Sequence, residues 1–147
     1  MSRALQAHNA IVIVLEVPWE VEFHPSCDRW ANDLDTEDQE ALVASIRVLR
    51  RVGPTLGRPL VDTVKGSKHK NMKELRPPSS GSSEVRVLFV FDPARTAILL
   101  LGGDKRGAWT KWYDKNIPRA DDRYDEHLRG LSEKASPTKQ TKKRGRR

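Results

Sequence analysis

Apolar and polar residues alternate in several short stretches of the chain, and this spacing predicts strands. The clearest alternation lies at residues 19–24 (WEVEFH), where every second side chain would face a core. Residues 84–92 (EVRVLFVFD) are almost continuously apolar, which indicates a strand in a central position of a sheet. Three further strands are predicted at residues 60–65, 71–76 and 96–101, with a basic turn at 66–71.

Helical spacing of apolar residues predicts three helices, at residues 25–34, 37–52 and 118–131. Thr36 and Gln39 have the spacing of a capping box, so we expect Thr36 to cap the second helix. Gly53-Pro54 would end that helix. Pro118 would open the last helix, because proline is well tolerated in a first turn.

The order of these elements predicts an α+β fold. We expect a small twisted, mainly antiparallel sheet, with the N-terminal helices packed on it and a C-terminal helix, the helices lying on one side. The sequence divides into an N-terminal extension (1–18), one domain (19–131) and a basic tail (132–147) with the composition of a disordered segment. Whether residues 1–18 form an extra strand or a leader stays open.

Length and composition narrow the class of protein. The 147 residues suffice for one domain with its own core. The only cysteine, Cys27, excludes an internal disulfide framework, and four scattered histidines offer no metal site. The longest apolar run, residues 10–17, is far shorter than the ~20 residues of a membrane span. We therefore expect a cytoplasmic protein that binds no membrane, metal or cofactor.

Charge is distributed unevenly along the chain. Residues 134–147 hold seven Lys and Arg, so the net charge of +7 belongs to the tail, and the rest holds 20 bases and 20 acids. Within that neutral part, residues 16–40 carry nine acids and one base, whereas residues 46–76 carry nine bases and two acids. This separation predicts a local basic surface that attracts a polyanion.

Arg86 is the most informative basic residue, because it lies in the apolar strand on the same face as Leu88 and Val90. A guanidinium there must pair with a carboxylate such as Glu84 or Glu74, or must open onto a cleft that holds an anion. A metal-free set of Arg, Lys and Tyr suits RNA cleavage, in which a 2′-OH loses its proton and a phosphate gains charge. The same side chains would also suit an acidic protein surface.

Three stretches resemble the RelE/ParE superfamily of toxins, nearest its HigB-like branch: residues 73–76 (KELR), 85–91 (VRVLFVF) and 100–106 (LLGGDKR). The resemblance runs from about residue 19 to residue 128. It implies a RelE-like fold and a type II toxin that cuts mRNA on the ribosome without metal. It also implies a cognate antitoxin as partner, with DNA bound only indirectly through the antitoxin complex.

The resemblance also assigns roles to residues. It implies catalytic roles for Arg86 at the scissile phosphate and for Lys105, Arg106, Tyr113 and Lys73, and RNA binding by Arg76. The remaining basic side chains that we expect to bind RNA are Lys68, Lys70 and Lys111.

Glu74 departs from the RelE pattern, which has a lysine there; it would pair with Arg76 or Arg86, or act as the base. Two alternatives stay open, a ParE-like non-catalytic inhibitor of DNA gyrase and an inactive module that binds antitoxin.

Overall fold

The computed structural model describes residues 17–78 and 81–135. The described chain contains three α-helices and five strands in the order β1 (Glu20–Phe23), α1 (Pro25–Asn32), α2 (Thr36–Val52), β2 (Val61–Thr63), β3 (Lys73–Leu75), β4 (Val85–Phe91), β5 (Thr96–Asp104) and α3 (Trp109–Lys134). Most of the N-terminal extension, and the tail from residue 136 onward, lie outside the described residues.

The five strands form one sheet in the order β1-β5-β4-β3-β2. β1 runs parallel to β5, whereas the β5–β4, β4–β3 and β3–β2 pairs are antiparallel. This arrangement confirms the predicted α+β fold with a mainly antiparallel sheet. It also confirms the central position of β4, whose apolar residues are covered on both faces.

Each face of the sheet carries its own core, because successive strand residues point to opposite faces. Val87 and Phe89 pack with α1 and α2 around Leu42 and Leu49. On the other face, the α3 core contains Leu88, Val90, Leu100, Ile117, Ala120 and Tyr124. The expectation that the helices lie on one side was therefore wrong: α3 covers the opposite face, since a nearly continuous apolar strand needs cover on both.

The start of α2 differs from the prediction by one residue. Asp35, not Thr36, is the N-cap, and its side chain accepts a hydrogen bond from the backbone N–H of Asp38 at 2.9 Å. A carboxylate satisfies an otherwise unpaired N–H and also faces the positive end of the helix dipole. The helix ends at Gly53, which has a φ of 77° that favours glycine.

α3 begins nine residues before the predicted start, at Trp109, so that Pro118 lies inside the helix. The strand predicted at residues 96–101 extends further than expected, because β5 continues through Gly102 and Gly103 to Asp104. Its two glycines make room for tryptophans on both faces. A Cβ at Gly102 would lie 2.1 Å from the Trp30 ring, and one at Gly103 would lie 2.6 Å from Trp112. Close packing of Trp112 on Gly103 thus positions the first turn of α3 on the sheet.

Candidate functional site

Charged side chains meet where β3 and β5 end and β4 begins, against the first turns of α3. The pairing of Glu74 with Leu88 and of Leu75 with Val87 places Glu74 and Arg86 on the face that α3 covers. Lys105 follows β5 directly, and Tyr113 lies in the second turn of α3. We call this group the arginine cluster: Glu74, Arg76, Arg86, Lys105 and Tyr113.

Arg86 is almost fully buried, with 8% of its surface exposed. Its Nη1 donates a hydrogen bond to the carbonyl oxygen of Val85 at 2.8 Å. Two carboxylates flank the rest of the guanidinium: Glu84 Oε2 lies 3.8 Å from Nη2, and Glu74 Oε1 lies 3.9 Å from Nε. Within the described residues, buried Nε has no hydrogen-bond partner. The carboxylates offset part of the cost of burying the charge, but Nε keeps an unused donor.

Glu74 is shared among several partners. The Tyr113 hydroxyl donates a hydrogen bond to Oε2 at 2.7 Å, and Arg76 Nε lies 3.8 Å from Oε1. Arg76 is held from its other side by Asp62, with Nη1 and Oδ2 3.5 Å apart. Glu74 is only 5% exposed, so its orientation is set by these contacts. The position that departs from the RelE pattern is therefore an internal counterion for two arginines.

The environment changes the proton affinity of two members of the cluster. Burial, and then the hydrogen bond to Glu74, raise the pKa of Tyr113 well above its usual value of 10.0. Its hydroxyl is a proton donor near neutral pH and a poor base. Burial, and then the nearby positive charge of Arg86, lower the pKa of Lys105, which makes its ammonium group a better acid than an exposed lysine.

An open cavity of about 290 Å³ lies beside the cluster. Glu74 and Tyr113 form part of its wall, together with Asp62, Thr63, Val64 and Lys65 from β2 and the residues after it. The hydrogen-bonded Glu74–Tyr113 pair is thus open to a small molecule or to one unit of a polymer. This geometry suits proton transfer next to two arginines.

The remaining predicted catalytic and strand residues lie around the cluster. Arg106 is exposed; its Nη2 lies 3.6 Å from Asp104 Oδ2, and its Nη1 donates to the carbonyl oxygen of Ser82. Lys111 is exposed in the first turn of α3. Lys73 pairs with Phe89, whose side chain packs toward α1 and α2, so alternation turns Lys73 away from the α3 face. The structure therefore brings Arg76, Arg86, Lys105 and Tyr113 together, but not Lys73.

The basic turn, residues 66–71, is bound to α3. Asp121 accepts hydrogen bonds from the Ser67 hydroxyl at 2.5 Å and from the Lys68 backbone N–H at 3.1 Å. Asp125 forms an ion pair with the Lys68 ammonium and lies 2.8 Å from His69 Nε2. Lys70 is exposed. Asp121 and Asp125 follow Tyr113 by about 12 and 18 Å along the helix, so the basic turn lies apart from the arginine cluster.

Sequence reasoning missed the acidic partners of these bases. Asp62 was counted only as one of two acids in a basic segment, although it binds Arg76 and lines the cavity. Asp121 and Asp125 were missed as well. Their spacing of four on one helix face was an available signal, because it places two carboxylates next to each other.

Other classes of site receive no support from the described part of the chain. No group of three or more His, Cys, Asp or Glu residues in it could hold a metal ion. No helix among residues 17–78 and 81–135 has both the length and the apolar character that a membrane crossing requires.

Comparison with known proteins adds sequence relatives and a fold. The family model "Phage derived protein Gp49-like (DUF891)" matches residues 29–125. The chain is 56% identical over 116 residues to "Putative toxin HigB2" of Mycobacterium tuberculosis, covering 79% of this chain and 57% of that protein. It is 53% identical over 104 residues to "Putative toxin HigB3" of the same organism, covering 71% of this chain and 89% of that protein. This chain thus spans little more than half the length of the first relative.

A solved structure is similar in fold. The E. coli toxin RelE, a mutant in the free state, matches with a TM-score of 0.50 and 12% identity, covering 69% of this chain and 97% of RelE. At that identity the likeness shows the fold alone. The predicted RelE-like fold is confirmed.

Proposed function

Because the chain belongs to the phage-derived Gp49-like family, we propose that it is the toxin of a type II toxin–antitoxin system and cuts mRNA on the ribosome. The relatives named as HigB toxins support the toxin role. The observation that carries the proposed chemistry is the buried Arg86 beside the Glu74–Tyr113 pair, which forms part of the wall of a cavity that opens to solvent. We assign the activity to residues 19–131.

Each member of the arginine cluster has a role in this proposal. Arg86 and Arg76 stabilise the charge that develops on the phosphate, because a guanidinium offers a fixed fork of donors. Glu74 accepts the proton of the attacking 2′-OH, since Tyr113 with its raised pKa is a poor base. Tyr113 or Lys105 donates a proton to the departing 5′ oxygen. The products would be a 2′,3′-cyclic phosphate and a 5′-OH.

The outer basic residues have binding roles in the same proposal. Arg106 and Lys111 are exposed and would contact the RNA backbone next to the cut. Lys68 and Lys70 lie in the basic turn, which is bound to α3. They would contact a more distant part of the RNA or the ribosome. Lys73, on the other face, would contribute only if the RNA reaches around the edge of β3. The tail from residue 134 would add binding that does not depend on sequence.

The proposed partners follow from the toxin role. A cognate antitoxin would cover the cluster and keep the toxin inactive in the cytoplasm, and DNA would be bound only through the antitoxin complex. An acidic antitoxin segment would suit the cluster, because the exposed bases Arg106 and Lys111 lie near Lys105 and Tyr113 in the chain.

Mapping mRNA ends in cells tests the proposal. We expect the wild type to arrest growth and produce new mRNA ends, and Arg86→Ala to lower the cutting rate by about 100- to 1,000-fold. Circular dichroism of purified Arg86→Ala, together with Arg47→Ala on the outer side of α2 as a charge control, separates loss of chemistry from loss of fold. No new ends from wild type, or equal cutting by Arg86→Ala, would contradict the proposal.

The paired state of Arg86 favours a second candidate, a ParE-like toxin that binds DNA gyrase without cutting RNA. Glu74 and Glu84 lie within 4 Å of its guanidinium, so its charge is compensated within the chain. A supercoiling assay with purified protein separates the two functions. Inhibition of gyrase with intact mRNA supports the second, whereas cut mRNA with normal supercoiling supports the first.

A further inference from the structure

Two carboxylates flank Arg86, and the fold holds them in different ways. The Glu74 side chain is 7% exposed and is fixed by the hydrogen bond from the Tyr113 hydroxyl. The Glu84 side chain is 28% exposed, and its closest approach to Arg86 is 3.8 Å, longer than a hydrogen bond. Glu74 therefore cannot leave without breaking the site, whereas Glu84 can rotate toward solvent.

The backbone of Glu84 is held firmly, so only its side chain is able to move. Its N–H donates to Asp104 Oδ1 at 3.0 Å, and its carbonyl oxygen accepts from the Lys105 N–H at 3.1 Å. These bonds join the start of β4 to the end of β5. Rotation of the Glu84 side chain would uncover Arg86 Nη2 without disturbing the sheet.

We propose that Glu84 is an internal competitor for the anion that Arg86 binds, and that it sets the affinity of the site for an RNA phosphate. This inference rests on the proposed function. In the free protein, the partly exposed Glu84 carboxylate lies 3.8 Å from Arg86 Nη2. A phosphodiester oxygen takes its place when RNA binds, and the Glu84 carboxylate moves into water.

The charges around Arg86 explain why this competition controls affinity. Arg76 is already paired with Glu74 and Asp62, at 3.8 and 3.5 Å. Arg86 shares Glu74 and has Glu84 as its second carboxylate. With Glu84 in place, three carboxylates face the two arginines, and a phosphate gains little by entering. With Glu84 moved away, only Glu74 and Asp62 face the two arginines, so one fewer negative charge repels the phosphate from Arg86.

Binding of uncleavable RNA tests the proposal without depending on catalysis. The probe is ribosomes programmed with an mRNA whose riboses are 2′-O-methylated, titrated with fluorescently labelled protein. We expect Glu84→Gln to bind about threefold more tightly than wild type, because the amide keeps the shape and removes the competing charge. The gain should shrink at high salt.

Two variants serve as controls in the same titration. Glu22→Gln removes the same charge from the exposed surface of β1, and we expect its affinity to match wild type. Glu84→Gln combined with Arg86→Met should lose the gain, because the two side chains are coupled only through the ion pair. Three outcomes would overturn the proposal. Glu84→Gln could bind with wild-type affinity, or Glu22→Gln could gain as much affinity as Glu84→Gln. The third is that Glu84→Gln still raises the affinity when Arg86 is replaced by Met.

A second measurement separates this proposal from the proposed function. The Nε–H signal of Arg86 in NMR is followed while inorganic phosphate is added, with no ribosome present. We expect half-saturation at an about threefold lower phosphate concentration for Glu84→Gln than for wild type or Glu22→Gln. If the phosphate result holds but programmed ribosomes do not bind, the proposed function fails and Glu84 keeps its role. If ribosomes bind but neither titration separates Glu84→Gln from wild type, only the role of Glu84 fails.

Discussion

The basic turn and the arginine cluster are both rich in positive charge, and the turn ends three residues before Glu74, the first member of the cluster. In the turn, the Lys68 ammonium pairs with Asp125 on α3 while more than half of its side chain stays in solvent. In the cluster, Arg86 is 8% exposed and depends on Glu74 and Glu84. The turn binds α3, whereas the cluster holds a buried guanidinium whose Nε has no hydrogen-bond partner among residues 17–78 and 81–135.

The difference between the two regions shows why a run of basic residues does not by itself define a binding surface. An exposed ion pair contributes little, because water and salt already screen the charges. A buried guanidinium with an unused donor contributes far more to an anion, because water is excluded there. The ability to bind an anion therefore depends more on how deeply a basic side chain is buried than on how many basic residues lie close together in the sequence.

Among the variants that test this difference between the two regions, Glu74→Ala is expected to change the free energy of unfolding most. It would leave Arg86 buried without its fixed counterion and would free the Tyr113 hydroxyl, so we expect a loss of about 3 kcal/mol in the free energy of unfolding. Urea denaturation measures the loss. Glu40→Ala, an exposed acid on α2, serves as the control and should stay within about 0.5 kcal/mol of wild type. A similar small change in Glu74→Ala would show that the cluster is not held by internal pairing.

Replacing Asp121 with Ala tests the basic turn. Asp121 accepts from Ser67 and Lys68, so we expect the free energy of unfolding to fall by about 2 kcal/mol through the two lost hydrogen bonds. Urea denaturation again measures the change, with the exposed neighbour Asp122→Ala as control. The cutting rate per folded molecule should stay unchanged. A large loss of cutting at full stability would place the turn in the active site.

Titration of the tyrosines is expected to have the smallest effect on stability. The chain has two tyrosines, Tyr113 and Tyr124, and burial raises the pKa of both above 10.0. The folded protein thus keeps protons that the unfolded chain releases near pH 10, so their contribution to stability is present below that pH and is lost as the pH rises further.

Phenolate absorbance checks this titration directly. We expect both tyrosines to ionise at a higher pH than free tyrosine. In urea denaturation, the free energy of unfolding should fall less between pH 9 and pH 11 for Tyr113→Phe than for the wild type. If the transition that disappears in Tyr113→Phe lies near pH 10 in the folded wild type, the contact between Tyr113 and Glu74 is contradicted.

Local patterns along the chain predicted the elements of the sheet well, and one residue of the site. The apolar run at residues 84–92 predicted the central strand, and alternation placed Arg86 on the face of Leu88 and Val90. Burial of Arg86 then required an anionic partner, and Glu74 and Glu84 were the two carboxylates considered. These inferences need only the strand repeat and the cost of an unpaired charge.

By itself, the sequence determined which residues are able to form strands and helices, and that Arg86 must be compensated, because both depend on neighbours along the chain. Only the tertiary structure decided that α3 covers the second face, that Lys73 points away from Arg86, and that Asp121 and Asp125 hold the basic turn. These features depend on how strands pair and on which glycines admit Trp30 and Trp112. They join residues far apart in sequence, and no local pattern records such contacts.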